Sequence, residues 1–248
     1  MVTLTCSSDA NPAVESYTWF KVDESTPVGS GQQYSISNIS SEDAGQYYCG
    51  ARNHYGFGNS SPVSISVTYR PRNTVVEIDP PGQITEGSRV TLTCSTDANP
   101  PAHTYSWYKT GTHVQLSSNE QLTFSQISSD DSGGYFCRAV SDNGQQDSPA
   151  VSVRVLYPPR NTRIESDSSG QVPVGATVTL TCTGEADPPA HTYTWIKKRG
   201  DVQLESGKEK TLTLSKIRPE DRGEYLCRVA NEIGQQESPA VSVQVACE

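Results

Sequence analysis

The sequence predicts an all-β protein made of three repeated units, and two observations support that class. Among 248 residues there are twelve Tyr, four Phe and one Met, and hydrophobic residues amount to only 33%. Such a composition is typical of strands that bury one face and expose the other, not of helix bundles. The segment MVTLTC at 1–6 returns as RVTLTC at 89–94 and TVTLTC at 177–182, so the chain repeats one unit at a spacing of 88 residues.

The strands of each unit are predicted by the alternation of apolar and polar side chains. In VTLTC the Val, Leu and Cys side chains share one face and the Thr side chains share the other. The segments SYTWF, TYSWY and TYTWI place Tyr and Trp on one face, and PVSISV, PAVSVRV and PAVSVQV form the last strand of each unit. Before that last strand, Gly56, Gly144 and Gly234 indicate hairpin turns that need positive φ.

Each unit also contains a motif of Asp, Gly two residues later, Tyr four later and Cys six later. It reads EDAGQYYC at 42–49, DDSGGYFC at 130–137 and EDRGEYLC at 220–227. These residue types could form either a reactive site or a structural one. Six of the seven cysteines fall into pairs of matching spacing: Cys6 with Cys49, Cys94 with Cys137, and Cys182 with Cys227. Because no CxxC pair suggests zinc, the cysteines predict disulfides and an oxidising compartment.

The Cys–Trp–Cys sets and the DxGxYxC motif resemble the immunoglobulin fold over the whole chain. The resemblance implies an inter-sheet disulfide in each unit, with a core tryptophan packed against it: Trp19, Trp107 and Trp195. It also implies tyrosine corners, whose hydroxyls bond to backbone, at Tyr47, Tyr135 and Tyr225. On this interpretation the repeated motif is structural, and the chain consists of three tandem immunoglobulin-like β-sandwich domains.

The spacing of the motifs sets the expected domain limits. Gaps of 43, 43 and 45 residues between paired cysteines favour short constant-like units, with little room for the C′ and C″ strands of variable-type domains. We expect domains at 1–69, 70–157 and 158–248, joined by the proline-stiffened segments VTYRPRNT and VLYPPRNT. Only Met1 precedes the first Cys strand, so we expect the first domain to lack its A strand and to expose a sheet edge.

A candidate integrin-binding turn, Arg199-Gly200-Asp201, follows the third Trp strand. An integrin would bind the Asp carboxylate through a metal and the Arg separately, which requires a protruding turn. The alternative is that Gly200 only serves a hairpin turn, as Gly111 does at the matching place in the second unit. Both interpretations fit a polar turn.

Modification and pairing candidates lie elsewhere in the chain. Asn38 and Asn59 begin N-glycosylation sequons, and both fall in the first unit. We expect Asn38 to point outward from its strand and Asn59 to lie beside the last hairpin; the alternative is that both are unmodified polar residues. Cys247 has no partner in this pairing scheme, so it bridges two chains in a homodimer, pairs with a residue outside this sequence, or is an incidental thiol.

Several function classes are disfavoured. Nucleic acid requires a basic surface, whereas the formal net charge here is −9. No Ser-His-Asp arrangement, phosphate loop or pair of carboxylates appears, so we expect neither enzymatic activity nor a cofactor. His103 and His191 occupy equivalent loop positions without a second ligand at metal spacing, so no metal site is expected.

At the level of DANPPAHTYSWYK, the YxPRN linkers and the DxGxYxC motif, the chain resembles the tandem constant-like domains of the siglecs (sialic-acid-binding immunoglobulin-like lectins), the B-cell siglecs in particular. The resemblance implies a single-pass type I membrane glycoprotein at the cell surface, with roles in adhesion and inhibitory immune signalling. It implies cell-surface proteins or glycoproteins as partners, and an anchor in a segment absent from this sequence.

The chain departs from the siglec pattern in one respect. Siglecs bind sialic acid through a variable-type domain with an Arg on its F strand, whereas Arg52, Arg138 and Arg228 follow the second Cys and do not match it. No lectin residue is therefore assigned, and the three domains are expected to act as a stalk or spacer with a non-catalytic interaction surface. The alternative is an adhesion module that binds homophilically or through the Arg199-Gly200-Asp201 turn.

Overall fold

The computed structural model describes residues 1–199 and 202–246, and it confirms the all-β class and the three tandem β-sandwiches. Each domain stacks two mainly antiparallel sheets around one disulfide and one tryptophan; parallel pairing joins residues 84–85 to 155–156 and residues 171–172 to 244–245. Besides strands, each domain has a single 3-10 turn of three residues immediately before its repeated motif strand: Ser41–Asp43, Ser129–Asp131 and Pro219–Asp221. Within the described ranges no helix is long and apolar enough to cross a membrane.

The first domain has seven strands: β1 (Val2–Thr5), β2 (Ser16–Lys21), β3 (Gly29–Ser30), β4 (Gln33–Ile36), β5 (Gly45–Asn53), β6 (Gly56–Asn59) and β7 (Val63–Ile65). One sheet is the pair β1–β4, and the other has the order β3-β2-β5-β6, with β7 also paired to β5. The β2–β5 register places Trp19 opposite Cys49, so the ring covers the disulfide.

The second domain has nine strands: β8 (Tyr69–Asp79), β9 (Ile84–Thr85), β10 (Val90–Asn99), β11 (Thr104–Lys109), β12 (Gln115–Ser117), β13 (Gln121–Phe124), β14 (Gly133–Ser141), β15 (Gly144–Asp147) and β16 (Val151–Val153). One sheet has the order β13-β10-β8, and the other has the order β12-β11-β14-β15 with β16 on β14.

The third domain repeats this arrangement: β17 (Val155–Ser166), β18 (Gln171–Val172), β19 (Val178–Asp187), β20 (Thr192–Arg199), β21 (Val202–Gly207), β22 (Thr211–Leu214), β23 (Gly223–Ala230), β24 (Gln235–Glu237) and β25 (Val241–Val245). Strand β19 lies between β22 and β17, and the second sheet has the order β18-β25-β23-β20-β21 with β24 on β23.

The first sheet of the first domain is one strand short. Strand β10 lies between two partners and so does β19, whereas β1 pairs with β4 alone among the described strands. The buried core is correspondingly small. It contains Cys6, Trp19 and Cys49, while the second domain buries ten residues in its cluster and the third buries twelve. An unpaired strand edge and little buried apolar surface both lower the stability of a sandwich.

Every domain has a short C′ strand, the strand that follows the Trp strand and pairs with it. The short spacing between the paired cysteines had suggested little room for such a strand. Strands β3, β12 and β21 pair with the Trp strands β2, β11 and β20 and lead directly to the next strand of the opposite sheet. The segment between the Trp strand and that next strand is long enough for one short strand only. It adds to the Trp-strand sheet because the edge of that sheet still offers unpaired backbone groups.

The joint between the second and third domains lies inside a single strand. Residues Val155 and Leu156 of β17 pair in parallel with β9 of the second domain. From Tyr157 to Ser166 the same strand pairs antiparallel with β19 of the third domain. The boundary expected at 157/158 therefore falls within one continuous strand.

Candidate functional site

The six paired cysteines form three inter-sheet disulfides: Cys6–Cys49, Cys94–Cys137 and Cys182–Cys227. All six are buried. The three tryptophans are also buried, and each indole Nε1 donates to a backbone carbonyl: Trp19 to Gly31 at 3.0 Å, Trp107 to Asn119 at 3.0 Å and Trp195 to Glu209 at 2.9 Å. Every indole nitrogen thus has a hydrogen-bond partner, as is usual for buried polar groups.

The Tyr of the repeated motif reaches back four residues to the backbone. Its hydroxyl donates to the carbonyl oxygen of the motif Asp: Tyr47 to Asp43 at 2.9 Å, Tyr135 to Asp131 at 2.6 Å and Tyr225 to Asp221 at 2.9 Å. Burial raises the pKa of Tyr135 and of Tyr225 to about 12, so both hydroxyls remain protonated donors at neutral pH. This geometry is that of a structural tether and not of a nucleophile.

The Asp and Gly of the motif also have structural roles. The carboxylate of Asp43 accepts from the backbone N–H of Ser40 at 2.7 Å, and this hydrogen bond lowers the pKa of Asp43. The Gly two residues later takes a positive φ of 145°, 151° or 153° at Gly45, Gly133 and Gly223. A Cβ there would lie only 2.8 to 3.2 Å from the Cε atom of a Lys side chain in the Trp strand. The positive φ is what favours Gly here, since the Lys side chain could move aside.

The two sequons lie at exposed positions at or just beyond the ends of strands that belong to different sheets of the first domain. Asn38 follows β4 by two residues and is exposed, so it lies beyond the strand from which it was expected to project. Asn59 is the last residue of β6 and pairs with Gly50 of β5. The hydroxyl of Ser60 accepts from the backbone N–H of Cys49 at 3.0 Å, while Ser61, the third sequon residue, is exposed.

The integrin-type turn and the seventh cysteine are not covered by the described ranges. Gly200, Asp201 and Cys247 lie outside them, and Arg199 is described only as the last backbone position of β20. At the matching place in the second domain, Gly111 takes a φ of +79° in the turn between β11 and β12. Within the described ranges, no group of three or more His, Cys, Asp or Glu side chains is placed to hold a metal ion.

The joint between the first two domains is organised around Arg72, a residue that the sequence reading did not single out. Its guanidinium lies over the ring of Tyr69, 4.1 Å from the ring centroid, and its Nε donates to Asp97 Oδ2 at 2.7 Å. Its Nη2 donates across the joint to Ser41 Oγ at 2.9 Å. The hydrogen bonds from Arg72 and Tyr69 lower the pKa of Asp97, which keeps its carboxylate ionised at neutral pH.

The second joint repeats this arrangement, except that a glutamate lies between the arginine and the 3-10 turn of the preceding domain. Arg160 lies over the ring of Tyr157, again 4.1 Å from the centroid, and faces Glu185 of its own domain at 3.6 Å. Across the joint its Nη1 lies 3.5 Å from Glu86 Oε1, and the same oxygen accepts from the backbone N–H of Ser129 at 3.0 Å. Ser129 is the counterpart of Ser41, so both arginines reach the 3-10 turn of the preceding domain, the second one through a carboxylate.

A second contact crosses each joint from the last residue of the strand that contains the first cysteine of the following domain, β10 at the first joint and β19 at the second. Asn99 Nδ2 donates to the carbonyl oxygen of Val67 at 2.8 Å. At the equivalent position, Asp187 pairs with Arg154, whose guanidinium donates to both carboxylate oxygens. These hydrogen bonds lower the pKa of Asp187. Each joint therefore has side-chain attachments on two different strands, and the second joint has in addition the pairing of β17 with β9.

These features place the protein in a class. The chain belongs to the immunoglobulin-domain family: models described as "Immunoglobulin domain" match residues 1–67, 73–155 and 158–231. The chain has 32% identity over 159 residues with the B-cell receptor CD22 of Mus musculus, covering 64% of this chain and 18% of that protein. It has 34% identity over 255 residues with the peroxidasin homolog of Homo sapiens, covering 94% of this chain and 16% of that protein. The chain thus spans less than a fifth of either relative.

Two solved structures of three tandem domains share the fold. The full ectodomain of mouse nectin-like molecule 4, with three immunoglobulin domains, matches with a TM-score of 0.57 at 20% identity, over 98% of this chain and 93% of that one. A variant of titin domains I67–I69 matches with a TM-score of 0.50 at 23% identity, over 93% and 88% of the two chains. At these identities the similarity concerns the fold alone.

Proposed function

We propose that the chain is part of the extracellular region of a cell-surface recognition receptor of the siglec type. In this proposal its three domains form a spacer that holds a ligand-binding region at a set distance from the membrane. The observation that carries the proposal is the construction of the joints, because the same Arg–Tyr stack and the same reach to the preceding 3-10 turn occur twice. The similarity to the B-cell receptor CD22 supports the siglec-type assignment.

A spacer needs joints that resist bending. Linkers rich in Gly and Ser behave as flexible coils, and interfaces between domains commonly permit movement. Here β17 passes from one domain to the next without interruption, and Pro158 and Pro159 lie within it. Because the strand hydrogen-bonds to β9 on one side and to β19 on the other, bending at the joint would break ladder hydrogen bonds as well as the arginine contacts.

Small-angle X-ray scattering of the chain, secreted from a mammalian host, tests the spacer role. The wild type is expected to fit one extended conformation, and Arg72→Ala combined with Arg160→Ala should give a broader distribution of end-to-end distances. Arg163→Ala is the matched control, since Arg163 pairs with Glu165 on the same strand at 3.0 Å but reaches no other domain. A wild type as broadly distributed as the double variant would contradict the proposal.

The remaining elements of the proposal concern partners. Siglec-type receptors face other cells, so we propose cell-surface proteins or glycoproteins as partners, no catalytic role, and a membrane anchor outside this sequence. A multimerised form of the chain, applied to a leukocyte panel with and without sialidase, tests whether the spacer itself binds. Binding that resists sialidase and is lost in Asp201→Glu would favour the Arg199-Gly200-Asp201 turn as an adhesion site instead.

Modification and assembly complete the proposal. We propose N-linked glycans on Asn38 and Asn59, because both are exposed and an oxidising compartment implies secretion. The domain limits 1–69, 70–157 and 158–248 and a homodimer through Cys247 are proposed on the sequence alone. Glycopeptide mass spectrometry and non-reducing electrophoresis test the glycans and the dimer respectively.

A further inference from the structure

The sheet that contains the Trp strand has an outer, solvent-facing side in every domain; in the first domain this sheet includes β2, β5 and β6. On this outer face the three domains differ in one pair of facing residues. In the second domain that pair is Arg138 of β14 opposite Asp147 of β15, with Nε to Oδ1 at 2.6 Å. In the third domain it is Arg228 opposite Glu237, with Nε to Oε1 at 2.9 Å. In the first domain the pair is Gly50 opposite Asn59, so the arginine is absent and the carboxylate is replaced by a sequon amide.

The missing arginine leaves a cleft in this outer face. The cleft has a volume of about 310 Å³ and has Gly50, Phe20, Tyr48, Phe57 and Asn59 among its lining residues. A Cβ added to Gly50 would lie 3.0 Å from Asn59 Oδ1 and 3.6 Å from Phe20 Cε2, so the amide and the aromatic ring border the same space. The rings of Phe20 and Tyr48 are stacked with centroids 5.1 Å apart.

One aromatic side chain that borders this cleft, Phe57, is strongly exposed, whereas Phe20 and Tyr48 are half-buried. Phe57 is 77% exposed and lies two residues before Asn59 on β6, so both side chains project from the same face. In the second domain the comparable ring pair, Tyr108 and Phe136, has the guanidinium of Arg138 above it, 5.6 Å from the Tyr108 centroid. In the first domain Phe57 is open to solvent beside the Phe20–Tyr48 pair, and this aromatic surface borders the cleft.

We infer that the cleft binds the innermost sugar of a glycan attached to Asn59. The inference rests on the extracellular location proposed above. In the secretory pathway the Asn59 Nδ2 forms a bond to C1 of N-acetylglucosamine, and the C1–O bond to the lipid pyrophosphate donor breaks. The amide loses one proton and the lipid pyrophosphate leaves. The sugar therefore begins at the rim of the cleft, directly beside the aromatic rings.

The chemistry of the cleft matches that of a sugar ring. One face of N-acetylglucosamine presents C–H groups, which pack against the electron-rich face of an aromatic ring. Its hydroxyl and acetamide groups need hydrogen-bonding partners, and Ser16, Thr18 and Arg52 stand on the same outer face. The glycan thus takes the place that arginine and carboxylate occupy in the other two domains, and it shields the domain with the smallest buried cluster.

The other sequon provides a control within the same domain. Asn38 lies after β4, in the sheet opposite to the one that bears the cleft. A glycan there has the same bulk and solubility, but it has no access to Phe20 or Tyr48. A stabilising effect confined to Asn59 would therefore come from the cleft and not from glycosylation in general.

The test compares thermal unfolding of the secreted chain, made with high-mannose glycans, after treatment with two glycosidases. Endoglycosidase H leaves the first N-acetylglucosamine on Asn59, whereas peptide N-glycosidase F removes every sugar and converts Asn59 to Asp. We expect the first unfolding transition to fall by about 4 °C after complete removal and to stay within about 1 °C after endoglycosidase H. Asn38→Gln should leave the transition in place.

A double substitution tests whether covering the cleft is what stabilises the first domain. Gly50→Arg together with Asn59→Asp rebuilds the pair found in the second domain, and it should recover most of the stability lost by removing the glycan. Glycopeptide mass spectrometry is read first: an unmodified Asn59 overturns the glycan proposal and this inference together. A modified Asn59 whose complete deglycosylation leaves the transition unchanged, or whose loss after endoglycosidase H equals the loss after complete removal, overturns this inference alone.

Discussion

Replacing Tyr225 by Phe removes one oxygen atom and tests the structural interpretation of the repeated motif. The Tyr225 side chain is only 1% exposed, and its hydroxyl donates to the carbonyl oxygen of Asp221 at 2.9 Å. Without the hydroxyl that hydrogen bond is lost, and water cannot easily reach the carbonyl in its place. A buried acceptor left without its donor costs about 1–3 kcal/mol, so we expect a loss of about 2 kcal/mol in the free energy of unfolding.

For a domain of this size, a loss of about 2 kcal/mol lowers the melting temperature by roughly 8 °C or more. Calorimetry of the whole chain gives the shift, and hydrogen exchange followed by mass spectrometry assigns it to the third domain. Tyr55→Phe is the control, because Tyr55 is 81% exposed and should change nothing measurable. A shift below about 2 °C for Tyr225→Phe, or one equal to the control, would refute the tether interpretation.

Three further predictions concern the same structural elements. Cys94→Ala with Cys137→Ala opens a loop of 43 residues and should cost about 4 kcal/mol, measured by urea unfolding with hydrogen exchange to locate the change; a loss under about 1 kcal/mol would contradict it. Gly223→Ala should destabilise by about 1–3 kcal/mol, because φ is +153° and the new Cβ would approach Lys197; an unchanged melting temperature would contradict it. Because the pKa of Tyr225 is raised to about 12 in the folded state, its contribution to stability is full below pH 10 and is lost as pH rises toward 12. Melting temperatures measured across that window should therefore fall less steeply in Tyr225→Phe than in the wild type.

Much of the fold is predictable because the repeated strands bury alternate residues. In β10 the alternation places Val90, Leu92 and Cys94 inside, and all three have no measurable exposure. Two of the three C′ strands escape prediction for a physical reason. Strand β3 has two residues and β12 has three, so neither is long enough to show a period. Strand β21, VQLESG, has six residues and was missed although its first four alternate. The C′ strands exist because the neighbouring Trp strand offers free hydrogen-bonding groups, which is a property of the folded sheet.

The joints were predictable only in part. The prolines of the linkers indicate stiffness, and the sequence alone supports that expectation. The role of Arg72 could not be predicted, because its partner Ser41 lies 31 residues away, and the pairing of Arg160 with Glu86 spans 74 residues. One signal was present: both linkers contain Tyr and Arg at the same spacing, and a strand residue repeated outside the alternating core pattern indicates a specific contact.

The three copies of one domain also separate scaffold from function, because each copy is a control for the others. Residues that keep the same contact in every copy, such as the motif Tyr and its Asp carbonyl, are accounted for by the fold. Functional candidates are the positions where one copy departs while its surroundings stay the same. Gly50 and Asn59 meet that criterion, since the ring pair beneath them resembles that of the second domain while the ion pair beside them is replaced. The first domain lacks the ion pair of the other two copies and leaves Phe57 exposed beside its ring pair, and the sequon at Asn59 supplies a group able to cover that surface.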